Sequence, residues 1–214
     1  DHLESALQEN TKMIWVESPT NPLLKLVDLQ AVAAFAKKHN LKVIYDAAHC
    51  FGVTYKGTSV FNYGDISTCS FHATKLFHTG EGGAMFANNK IVHEKLFYHH
   101  NFGHDGPEAF QGIGINAKMS ELQAAMGLAV LPYFNTILKE RSALVDAYNK
   151  GLERSNIHLL KMRGETDWNY CYYPVIFKNE ETALMMKATL ESQEIFPRRY
   201  FYSRHPHCSS KGYG

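Results

Sequence analysis

Two short apolar runs flanking a helical stripe constrain the fold of this chain more than any other feature. KMIWVES (12–18), closed by Pro19, and LKVIYDAA (41–48) have the length and the Val, Ile and Tyr content of buried strands. Between them Leu29, Val32, Ala33 and Ala36 recur at i, i+3, i+4 and i+7, behind Asp28, a residue suited to cap a helix N-terminus. A strand, helix, strand unit joins parallel strands by a right-handed crossover, so an α/β fold with a mostly parallel sheet is expected. DISTCSF (65–71) and GGAMFAN (82–88) read as two further strands, and KIVHEKLFYHH (90–100) as a helix. In MSELQAAMGLAVL (119–131), Ser120 and Gln123 have the spacing of a capping box, which predicts a helix running to Pro132. A long helix is predicted from Tyr133 to about Glu153, with Ile137, Leu144, Tyr148 and Leu152 on or near one face. NYCYYPVIF (169–177) then alternates like a strand, and EETALMMKATLESQE (180–194) reads as a helix. The expected division is a large domain over 1–150 and a truncated, smaller α+β domain over 151–214. Both ends read as cut, so a fragment lacking its N-terminal portion is expected, with too few strands for an uninterrupted seven-stranded sheet and with exposed edges.

Bulk composition narrows the function classes. Among 214 residues, 22 basic and 21 acidic side chains are well mixed and the formal net charge is +1. No basic patch suited to nucleic acid or an anionic membrane stands out, so small-molecule chemistry is expected. Cys50, Cys69, Cys171 and Cys208 show no C-x-x-C spacing, which favours free thiols in a reducing cytoplasm over a disulfide frame or zinc site. No apolar run reaches the roughly 18 residues of a membrane span, and nothing resembles a signal peptide.

Chemistry concentrates on Asp46, at the end of the second strand in YDAAHCFG (45–52), and Lys75, in SFHATKLFHTGEGGAMF (70–86). Ligands of open α/β sheets sit at the carboxyl ends of strands, where Asp46 falls. A carboxylate there can keep a pyridine nitrogen protonated, and a partly desolvated lysine can condense with an aldehyde, a pairing suited to pyridoxal 5′-phosphate (PLP). Taken singly, Asp46 could cap a turn and Lys75 could be an ordinary surface lysine. Ser70, five residues before Lys75, could offer its hydroxyl to a phosphate. The Gly-rich TGEGG would let backbone approach a ligand closely, but GEGGA is not the G-x-G-x-x-G of dinucleotide sites.

DAAH, SFHATK followed by TGEGGA, and GIGINAKMSELQAAMGL (112–128) together resemble the sugar-nucleotide aminotransferases of PLP fold type I, often called the DegT/StrS family. The likeness runs from about Glu17 to about Tyr202. It implies that Lys75 is the lysine that forms an imine with PLP, and that Asp46 is the partner of the pyridine nitrogen. It further implies that His49 packs on or hydrogen-bonds near the ring, that Ser70 is a phosphate ligand, and that Asn116 reaches the phosphate in the neighbouring subunit of a homodimer. Asn21 in SPTNP could hydrogen-bond the cofactor's O3′, or simply belong to an Asn-Pro turn.

The implied reaction moves an amino group from L-glutamate to a keto sugar nucleotide, for amino-deoxysugars of surface polysaccharide such as O-antigen. NYCYYPVIF, EIFPRRYFY (194–202) and His49 resemble the members that act on dTDP-4-oxo-6-deoxyhexoses at C4. The alternatives are amination at C3, a PLP lyase or dehydratase of the same fold, and a non-catalytic PLP-binding regulatory module. Sugar dehydratases resembling this family carry histidine in place of the lysine, so Lys75 favours transfer. FGHDGPEAF (102–110) could be a substrate loop or a plain connection, and the HPHC run ending at Cys208 lacks the second cluster a metal site needs.

Overall fold

The computed structural model describes residues 2–21 and 24–200. A short helix α1 (Leu3–Ala6) leads into β1 (Met13–Glu17), α2 (Leu29–Lys38) and β2 (Lys42–Asp46). Two-residue strands β3 (Thr54–Tyr55) and β4 (Thr58–Ser59) precede β5 (Ile66–Ser70) and β6 (Gly83–Phe86). Helices α3 (Lys90–His99), α4 (Glu121–Val130) and α5 (Phe134–Leu152) follow, then β7 (His158–Leu159), β8 (Thr166–Asp167), β9 (Val175–Ile176) and α6 (Glu180–Glu191).

Two compact units result. The first takes the described residues up to Glu153 together with Lys161–Tyr173; the second takes Arg154–Leu160 together with those from Pro174 onward. The main sheet of the first unit has the order β1-β2-β5-β6, with β1, β2 and β5 parallel and β6 antiparallel. The expected α/β fold is therefore present, on a four-stranded sheet. As an edge strand β1 is only half covered: Ile14 and Val16 pack on the core, while Met13 and Trp15 are exposed.

Helix α2 forms as its pattern predicts. The Asp28 carboxylate accepts from the Ala31 N–H, satisfying one of the unpaired donors of the first turn. Val32 and Ala36 then lie buried with Leu41, Val43 and Tyr45, which fills the space between helix and sheet. Gly64, at φ +84°, lies over Tyr45, where an added Cβ would come within 2.8 Å of the ring, so only glycine allows strand β5 to start there. A second cluster is aromatic. Phe51 stacks on Phe77 at 4.3 Å and meets Phe71 and Phe134 edge-on at 5.7 and 5.0 Å. Burying a ring of this size contributes about 1.5–3 kcal/mol, so this cluster is a firm, dry base for whatever lies over it.

The downstream helices depart in detail from expectation. The capping box of α4 is complete, with the Gln123 N–H donating to Ser120 Oγ and the Ser120 N–H donating to Gln123 Oε1. On α5 the buried position is Val145, whereas Leu144 is 59% exposed and Tyr148 stacks on Tyr173 at 4.9 Å. The predicted strand over 169–177 is reduced to β9. Residues 169–173 are irregular because their hydrogen-bonding groups engage side chains, Arg141 donating to the Tyr170 and Cys171 carbonyls at 3.1 Å each. FGHDGPEAF is a closed turn, bridged at His104 and Phe110. In the second unit β7 and β9 pair antiparallel, and α6 is capped by Asn179, which accepts from the Thr182 N–H.

Candidate functional site

At the carboxyl ends of the parallel strands the chain leaves a small recess lined by Ala48, His49, Phe51, Ser70, Lys75, Leu76, Asn169, Cys171 and Tyr172. Each wall has a local cause. Strand β2 ends at Asp46, between β1 and β5, and the chain turns at once: the Ala48 N–H donates to Asp46 Oδ1 at 3.2 Å and the Cys50 N–H to the Ala47 carbonyl. His49 lies buried in that turn. After β5 the loop 71–82 is closed by the Phe71 N–H on the Gly82 carbonyl and the Thr79 N–H on the Phe71 carbonyl. Lys75 sits in the tight turn at its start, its own N–H on the His72 carbonyl at 2.8 Å.

These two turns bring Lys75 Nζ to 3.1 Å from His49 Nδ1. The lysine is half-buried and forms no carboxylate ion pair among the described residues. Burial holds its pKa below the ordinary lysine range, an effect the carboxylates of Asp46 and Glu17 partly oppose. His49 is driven down to about 4, first by burial and second by the Lys75 charge, with Asp46 acting the other way. Around neutral pH the imidazole is therefore uncharged. Cys171 is raised to about 11 by burial, so its thiol stays protonated beside the amine.

The residues singled out from the sequence divide into two sets. His49, Ser70 and Lys75 line one recess; Asp46 is not among its lining residues but lies close enough to act electrostatically on both His49 and Lys75. Asn21 and Asn116 do not line it: Asn21 is exposed with its N–H on Glu17 Oε1, and Asn116 is exposed with its Oδ1 accepting from Lys118 Nζ. The glycines of TGEGG are absent from the lining too. Gly82, at φ +153°, lies where an added Cβ would come within 2.4 Å of Thr79 Oγ1, so these residues serve close chain packing. Sequence reasoning missed Asn169, Cys171 and Tyr172, because a strand-like alternation gave no sign that this segment folds back onto residues far upstream. Among the described residues no cluster suits a metal ion, and no helix is long and apolar enough to cross a membrane; the HPHC run lies outside them.

Comparison with known proteins adds a consistent set of likenesses. A profile of the DegT/DnrJ/EryC1/StrS aminotransferase family matches residues 1–212. The dTDP-4-amino-4,6-dideoxy-D-glucose transaminase of Shigella dysenteriae is 40% identical over 204 residues, taking in 94% of this chain and 54% of that protein. GDP-perosamine synthase of Escherichia coli O157:H7 is 30% identical over 186 residues, 83% of this chain and 49% of that protein. The crystal structure of DesI in the presence of its TDP-sugar product matches at a TM-score of 0.81 and 26% identity, covering 98% of this chain and 55% of that one. The chain thus spans about half the length of the curated relatives it matches.

Proposed function

The chain belongs to the DegT/DnrJ/EryC1/StrS aminotransferase family, and on that footing we propose that the whole protein carries an amino group from L-glutamate to a keto sugar nucleotide with the aid of PLP. The observation that carries this reading is the amine of Lys75, partly desolvated and 3.1 Å from a neutral imidazole, in a recess at the carboxyl edge of a parallel sheet.

The residues present fit PLP. An amine of lowered basicity with no carboxylate paired to it among the described residues suits an aldehyde, the nearby Asp46 carboxylate suits a pyridine nitrogen, and the Ser70 hydroxyl in the lining suits a phosphate. When bound, PLP supplies the electron sink for breaking a bond at the substrate's amino-bearing carbon. Lys75 Nζ would hold the cofactor and then move the proton, its lowered pKa making that proton easier to release than from an ordinary lysine. Asp46 would hold the ring nitrogen's proton, Ser70 Oγ would bind the phosphate, and His49 would cover the ring beside O3′. The Phe51 and Leu76 side chains would exclude water from that face. Asn116 would serve the partner subunit's phosphate in a homodimer, in keeping with its exposure here, and Asn21 would approach O3′ from the loop after β1.

The substrate class proposed, supported by the Shigella dysenteriae relative, is a dTDP-4-oxo-6-deoxyhexose aminated at C4, by a cytoplasmic enzyme serving surface-polysaccharide biosynthesis. The full-length protein, incubated with PLP, L-glutamate and a panel of keto sugar nucleotides, should yield an amino sugar whose mass and NMR spectrum identify nucleotide and carbon together. Lys75→Ala should lose the visible absorbance of bound PLP and slow transfer by on the order of 10⁴-fold. Turnover retained by that variant would refute the assignment, and PLP binding with no amino transfer would favour a regulatory module instead.

A further inference from the structure

Asn169 is the most buried polar side chain facing the recess, 1% exposed, and its carboxamide bridges two distant parts of the chain. Its Nδ2 donates to the His49 carbonyl and to the Phe51 carbonyl, 2.9 Å each, using both hydrogens of the amide. Its Oδ1 accepts from the Cys171 N–H at 3.2 Å. Three of its four hydrogen-bonding positions are thus committed, two to the turn that carries His49 and one to the segment that carries Tyr172.

A second contact bears on the His49 ring rather than on its main chain. The Tyr172 ring meets the His49 imidazole edge-on, centroids 5.3 Å apart and planes at 82°. His49 is therefore restrained at its main chain by Asn169 directly, and at its ring through the segment that Asn169 braces. Arg141, on α5, ties the same segment to a long helix through the Tyr170 and Cys171 carbonyls. The Cys171 thiol, 3.8 Å from the His49 oxygen, adds a weaker contact to the same carbonyl.

We propose that Asn169 is a positioning residue: by pinning the turn 49–51 and the segment bearing Tyr172, it fixes His49 so that Nδ1 accepts from Lys75 Nζ. A protonated lysine has no lone pair, so against it Nδ1 can only accept, and the single ring proton must sit on Nε2. One tautomer in one orientation is then imposed on the group nearest the amine. The role of the amine rests on the functional reading above, but the geometry imposed on His49 does not.

The test uses full-length protein without cofactor, labelled with ¹⁵N-histidine, at a pH where His49 is neutral, its resonances assigned by their loss in His49→Gln. Unmodified protein should show one nitrogen protonated and one bare. In Asn169→Ala, folded by circular dichroism, the two nitrogen shifts should move toward a common average as both tautomers become populated. In the PLP-loaded enzyme kcat should fall on the order of 10- to 100-fold, with KM for the keto sugar little changed. A folded Asn169→Ala protein with His49 shifts identical to those of the unmodified protein overturns the proposal. Should that variant fail to fold, the unmodified protein decides: its Asn169 carboxamide hydrogens should exchange on the order of a hundredfold more slowly than those of a surface asparagine, and exchange at the surface rate overturns the proposal. A protein that transfers no amino group would remove the functional reading while leaving the His49 spectra to decide the role of Asn169.

Discussion

At the scale of single residues, the chemistry turns on how far water is kept from one imidazole and one amine. His49 is 8% exposed and its pKa falls from 6.5 to about 4, burial being the larger cause and Lys75 the second. An unfolded chain takes up a proton on this ring below pH 6.5, whereas the folded chain does so only near 4. The unfolded state therefore binds more protons within that window, so the stabilising contribution is complete above 6.5 and is lost as the pH falls toward 4. Urea midpoints measured from pH 7.5 downward should decline across that window, and His49→Gln should flatten the decline. An unchanged slope in His49→Gln would mean that another group governs acid sensitivity. Asp46, His49, Ser70 and Lys75 were readable in the sequence because each sits within a short motif beside a strand end. Asn169 was not, since a buried asparagine is distinguished from a surface one only by what it touches, here two carbonyls well over a hundred residues upstream.

Among elements, local chemistry predicts starts better than faces. Asp28, Asn89, Ser120 and Asn179 each cap a helix by accepting from a backbone N–H of its first turn. Caps are local, needing only a short polar side chain and a following helical run, and they survive any tertiary context. Ser120→Ala breaks the reciprocal bond with Gln123 and should cost about 1 kcal/mol, read as a lower urea midpoint at unchanged slope. A loss within error would show that α4 is held by packing alone. Faces are decided elsewhere. On α5 both Leu144 and Val145 are apolar, one position apart, and periodicity cannot choose between stripes rotated by a single residue. Packing selects the one through Phe134, Arg141 and Val145, because Phe134 enters the aromatic cluster and Arg141 must reach the 170–171 carbonyls.

For the molecule as a whole, the question is where the rest of the proposed site comes from. Asn116 is exposed and absent from the recess lining, while the family resemblance sends it to a neighbouring subunit. In a two-fold dimer with shared sites, Lys75→Ala and Asn116→Ala damage the same site when they meet in one heterodimer and leave its other site intact. Random reassortment of the two full-length variants should then restore about a quarter of the unmodified activity. Recovery of no activity from a verified heterodimer would place Asn116 outside a shared site. Exposed apolar side chains on and around α4, among them Ile113, Ile115, Leu122 and Leu128, are where such a partner would be expected to press.

Sequence alone determined what depends on neighbours in the chain: the strand, helix, strand rhythm that makes a parallel sheet, the helix caps at Asp28 and Ser120, and the placement of a carboxylate at one strand end and an amine just after another. Those follow from periodicities of two and 3.6 residues and from capping geometry, all of them short-range. Tertiary structure decided the rest. It shortened an expected strand to a pair of residues by giving the 170–171 carbonyls to Arg141, rotated the buried stripe of α5, and folded Asn169 and Tyr172 onto His49. The reason is the same in each case: a hydrogen bond or ring contact across a large sequence separation is selected by the closed packing of the whole unit, and no local pattern records it.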